Sequence, residues 1–100
     1  MKTKELTGAA LDWAVAKAEG GYKPVAVPAY STNWAQGGPI IEREEIHLVP
    51  GYSWEAIKEI DVQGDTEHVI AHGPAPLVAA MRCYVASKLG DDVQLPEVIK

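Results

Sequence analysis

Apolar and polar positions alternate with a helical period at the two ends of the chain and with a strand-like period in its middle. Near the N-terminus Leu11, Ala14, Val15 and Ala18 share one face at helical spacing. Thr7 suits the cap before them, Leu6 and Leu11 suit a hydrophobic staple, and Gly20-Gly21 ends the pattern, which predicts a helix over 7–19. Trp13 lies off the stripe and needs a neighbour of its own. A second helix is predicted over 76–89, with Pro76 at its first position, Leu77, Met81, Val85 and Leu89 as one stripe, and Gly90 as the stop. Small residues, Ala79, Cys83 and Ala86, occupy its other side. That helix is therefore apolar nearly all round and belongs at the centre, with the alanine-rich first helix against it.

Between the helices, Ile46 and Leu48 precede Pro50-Gly51, a pair suited to a tight turn. A return strand through Tyr52, Trp54 and Ala56, a second turn at Gln63-Gly64-Asp65 and a third strand from Glu67 to Ala71 complete an antiparallel meander. A helix over 53–60, capped by Ser53 and spacing Trp54, Ile57 and Ile60 by three, fits the same residues, and the two alternatives stay open. Residues 39–45 suit a short helix, with proline first and glutamates after, or a strand through Ile40 and Ile41; the helix is preferred. Residues 22–39 hold Pro24, Pro28, Gly37, Gly38 and Pro39 and are expected to be largely nonregular, with at most a short edge strand at 25–27. Val93 and Leu95 alternate before Pro96, as in a terminal strand or extended arm. The expected fold is a single α+β domain over 1–100, with two main helices on a small antiparallel sheet of about three strands.

A chain of 100 residues has room for one core, and 47% apolar with 23% charged residues is the composition of a folded soluble domain that needs no cofactor to fold. One cysteine permits no internal disulfide, no signal-peptide layout opens the chain, and no apolar run approaches the ~20 residues that span a bilayer. A reducing cytoplasm and no membrane role are expected. The net charge of −5 is uneven. Residues 1–41 carry four cations against three carboxylates, 42–67 two against eight, and 68–100 three of each. An acidic middle argues against nucleic-acid binding, which would require Lys17, Lys23 and Arg82 to gather on one face.

The chain contains no Gly-x-Ser-x-Gly elbow, phosphate loop or Gly-x-Gly-x-x-Gly sequence, so no catalytic residue is assigned. His68 and His72 stand four apart but lack the intervening glutamate of a zinc protease, and Val69-Ile70-Ala71 between them reads as strand, so no metal site is assigned. Cys83 sits on the small-residue side of the central helix, where packing rather than reactivity is expected. Glu42, Glu44 and Glu45 around Arg43 read as a solvated charged face. The best candidate binding element is the segment 30–39. Trp34 offers a large aromatic surface, Tyr30, Ser31, Thr32, Asn33 and Gln36 offer hydroxyls and amides, and Gly37 and Gly38 expose backbone N–H groups. The competing structural role has Trp34 folding back as a lid, Ser31 or Asn33 capping a turn, and the glycines turning the chain. Glu42 and Arg82 complete the candidate set, Arg82 with its head in solvent or paired to an acid such as Asp12 or Glu42.

Three stretches, 6–16 (LTGAALDWAVA), 34–44 (WAQGGPIIERE) and 73–90 (GPAPLVAAMRCYVASKLG), together resemble the NinX-like proteins of tailed phages and prophages. The resemblance spans most of the chain. It implies a phage or prophage accessory protein of uncharacterised function, working in the host bacterial cytoplasm. That family commonly has threonine at position 75 and aspartate at position 33, where this chain has Ala75 and Asn33. The first change removes a natural helix cap; the second removes a charge from the candidate segment. Combined with the residues themselves, the expectation is a nonenzymatic protein-binding module whose partner is a host or phage protein. The alternative is a small-molecule-binding or catalytic domain, with a pocket formed by Trp34, Gln36, the Gly37 and Gly38 amides and Arg82.

Overall fold

The computed structural model describes residues 1–21 and 26–99. Three α-helices, α1 (Gly8–Ala18), α2 (Trp34–Arg43) and α3 (Pro76–Leu89), accompany three strands, β1 (His47–Val49), β2 (Trp54–Val62) and β3 (Asp65–Gly73). The strands form one antiparallel sheet in the order β1-β2-β3. This is the expected α+β arrangement.

Helix α3 is the middle layer, packed on the sheet by one side and on α1 by the other, with α2 alongside. That position explains its composition. Leu77, Val78, Ala79, Ala80, Met81, Cys83, Tyr84 and Val85 are all buried, and the alanines let β2, β3 and α1 approach closely. The row Leu48, Ala56 and Ala71 runs across the sheet face that meets α3, and Val69 packs beside it. Leu6 and Leu11 are both fully buried around Thr7, as the staple predicts, although the Thr7 side chain makes no cap hydrogen bond. Trp13 finds its neighbour in the C-terminal tail, where it lines a cavity of about 190 Å³ with Leu89 and Val93. Val93 and Leu95 are buried, and Val93 N–H donates to the Met1 carbonyl (2.9 Å), so the tail is an extended arm pinned by the N-terminus.

Two alternatives left open by the sequence are settled by the structure. Residues 53–60 form no helix: nine consecutive residues of β2 pair with β3, which places Trp54 and Ile60 on one sheet face and Ile57 on the other. Gln63 and Gly64, at φ 54 and 87, make the two-residue turn that joins them. The preferred helix at 39–45 exists but starts five residues earlier, at Trp34, so residues 34–39 are helical rather than nonregular. Pro39 sits inside it without an N–H to donate, and Gly38 before it has no Cβ to clash with the proline ring. The edge strand expected at 25–27 begins outside the described residues, and Ala26 and Val27 belong to no strand.

Candidate functional site

Helix α2 begins at Asn33, whose side-chain Oδ1 accepts the Ala35 N–H (2.9 Å) while its carbonyl accepts from Gln36 and Gly37 N–H (both 3.0 Å). Asparagine and aspartate cap helices equally well, so an aspartate at 33 would perform the same task. The preceding turn is tied to α1 by Ser31 N–H donating to Asp12 Oδ1 (2.8 Å). Ser31 is buried, and its hydroxyl has no partner among the described residues. Gly37 is buried as well: a Cβ there would clash with the Tyr30 carbonyl and lie 2.7 Å from Leu77 Cδ2, so glycine is what lets α2 reach α3. Its N–H is spent inside the helix and cradles nothing.

What remains outside is a surface. Thr32, Asn33, Trp34 and Gln36 are exposed, Tyr30 is half-buried, and Trp34 keeps 53% of its area in solvent. Helical spacing aligns Trp34, Gly38 and Ile41 on one stripe about 10 Å long. The indole lies over Gly38, its Cε3 3.9 Å from where a Cβ would stand. Past Ile41 the stripe opens into a groove of about 460 Å³ lined by Ile41, Glu42, Glu45, Ile46 and His47. Glu42 and Glu45 form no ion pair among the described residues, so the groove has an uncompensated acidic rim.

The far end of α2 is clamped by charge. Arg43 donates to both carboxylate oxygens of Glu19 at the end of α1 (3.1 and 2.6 Å), donates to Glu44 (2.9 Å), and lies over the Tyr84 ring at 5.7 Å. The Tyr84 hydroxyl donates to Glu19, and Lys58 from β2 and Lys88 from α3 approach Glu44 at 3.3 and 3.6 Å. The hydrogen bonds from Arg43 hold the Glu19 and Glu44 carboxyls below the usual carboxylate range, against the opposing effect of burial. Burial, with Glu19 as hydrogen-bond partner, pushes the Tyr84 hydroxyl up. Contacts from α1, β2 and α3 therefore fix the orientation of α2, and its outward stripe is presented on that frame.

Arg82 is not part of this surface and, among the described residues, pairs with no acid. Its guanidinium donates instead to the Leu6 carbonyl (2.8 Å) and the His72 carbonyl (2.9 Å), joining the N-terminal segment to the end of β3, and Asp12 is engaged by Ser31. A pocket combining Arg82 with the Gly37 and Gly38 amides is not assembled. Cys83 is buried, donates to the Val69 carbonyl, and has its thiol pushed up to about 11 by burial. His68 and His72 lie on one face of edge strand β3, opposite Glu59 and Glu55. The structure adds Ile41, Glu45, Ile46 and His47 to the candidate set. Their signal was present: Asn33 followed three residues later by Gln36 is a helix-start signature, and a helix from Asn33 aligns Trp34 with Ile41.

Among known proteins, a family model described as "Bacteriophage P22, NinX" matches residues 2–88. No curated protein matches the chain. No helix among the described residues is long and apolar enough to cross a membrane.

Proposed function

The chain belongs to the bacteriophage P22 NinX family, and from that premise we propose that it is a nonenzymatic accessory protein that binds a host or phage protein in the bacterial cytoplasm through the outward face of α2. The observation that carries this reading is Trp34, half-exposed on a helix whose position is fixed by Asn33, Gly37 and the Arg43 ion pairs, and continuous with the Ile41 groove. Exposed tryptophans on rigid elements are the residues around which protein interfaces concentrate their binding energy. The acidic rim of Glu42 and Glu45 selects a partner with basic groups around an apolar anchor, and adds to its rate of encounter.

The test is a pull-down from phage-infected host lysate with tagged wild type and Trp34→Ala, after circular dichroism and melting establish that both are folded. A protein retained by the wild type and lost by the variant supports the surface and names the partner. Retention of nothing, or equal retention by both, overturns it.

A further inference from the structure

We infer that two copies of this chain pair through the free edge of β3 to make a continuous six-stranded antiparallel sheet. The β3 edge shares no residue with the α2 surface.

The two-residue turn at Gln63-Gly64 makes Val62 and Asp65 a hydrogen-bonded pair, so by alternation the odd-numbered residues of β3 bond to β2. The even-numbered residues Thr66, His68, Ile70 and His72 therefore aim their N–H and C=O groups away from the sheet. Among the described residues, the one hydrogen bond made to this edge is from Arg82 Nη1 to the His72 carbonyl, which retains a second lone pair. Residues 65–73 contain no proline and no lysine, the usual devices that keep an edge strand from pairing. Ile70 stands on this edge with 53% of its area exposed.

A second copy is the occupant because the edge is complementary to itself. Antiparallel pairing about a two-fold axis at Ile70 sets Ile70 against its counterpart, His68 against His72, Val69 against Ala71 and Glu67 against Gly73. The hydrogen-bonded pairs are then the even-numbered residues, as the free groups require. On the outer face, the cross-strand pair Ile57-Ile70 runs into its own copy, giving an unbroken row of four isoleucines. The next row runs Glu59-His68 into His72-Glu55, so each imidazole stays beside a carboxylate of its own chain, at 3.7 and 3.2 Å. No acid faces an acid in this register, whereas centring on Glu67 would oppose two glutamates.

Sedimentation or light scattering across a micromolar concentration series reads the result. The expected wild-type mass rises to twice the 10.8 kDa of the chain, and Ile70→Lys stays at the single mass with an unchanged circular dichroism spectrum. In a second variant, Ile70→Cys, the two thiols meet across the axis at the ~5.5 Å Cα separation of a hydrogen-bonded pair, within disulfide range, so mild oxidation yields a covalent dimer. A wild type that keeps the single mass throughout overturns the inference. So does a dimer that survives Ile70→Lys, or one that Ile70→Cys does not cross-link, since either places the contact elsewhere. A strand that pairs only when supplied as a foreign peptide also overturns the second copy as occupant.

Discussion

Helix α3 buries eight of its fourteen residues, whereas α2 buries Gly37 and Ile40 alone. Their ends differ in the same sense. The cap position of α3 is Ala75, which offers no side-chain hydrogen bond, while α2 is capped by Asn33 and held at its other end by Arg43. The hydrophobic effect acts on α3 from two sides and needs no polar help. A helix with one face on the core must be positioned by directional contacts, and those contacts leave its other face free for a partner. The contrast separates the part of the molecule that makes the fold from the part that offers a surface.

The largest expected effect lies in α3. Met81 is fully buried, and Met81→Ala is expected to cost about 2–5 kcal/mol in urea unfolding. Trp34→Ala removes more atoms from α2 yet is expected to cost about 1 kcal/mol or less, because the indole is half in water. Equal costs would place the Trp34 face in the core and break the contrast.

A smaller effect tests the clamp. The Glu19 and Glu44 carboxyls are depressed in the folded state, so their contribution is present above the unfolded value of ~4.3 and is lost as pH falls through their folded values. Wild-type stability is therefore expected to decline on acidification. Arg43→Met should lower stability at neutral pH by about 1 kcal/mol, the half-exposed guanidinium being screened by solvent, and should flatten the acid decline. Parallel pH profiles for the two proteins would show that the clamp does not set the position of α2.

The smallest effect is a gain. Ala75 holds the extended cap conformation, φ −137 and ψ 154, so Ala75→Thr should supply the missing cap and raise stability by about 0.5–1 kcal/mol in thermal melts. No gain would mean that packing already satisfies the start of α3, which would sharpen its difference from α2.

The elements most legible in the sequence are those whose local signals agree with their burial. The bounds of α3 follow from Pro76, the apolar stripe and Gly90; the Gln63-Gly64 turn and the strand after it follow from turn chemistry and alternation. Helix α2 was obscured because Gly37, Gly38 and Pro39 read locally as breakers, and the reason they are helical is the close approach of Gly37 to Tyr30 and Leu77, a tertiary contact. The groove beside Ile41 was hidden for the same cause, since it exists only once that helix enters β1.

By itself the sequence determined the kinds of element, the central place of the all-round apolar helix, and the acidity of the middle segment. These depend on period, composition and charge, which are properties of neighbours along the chain. Whether 53–60 became strand, where α2 began, and that Arg82 would bond carbonyls instead of a carboxylate were decided by the tertiary structure. Each depends on a partner distant in sequence: β3 for β2, Tyr30 and Leu77 for Gly37, Leu6 and His72 for Arg82. Backbone pairing and close packing override local preference because a buried strand or polar group left without its partner costs more than a propensity contributes.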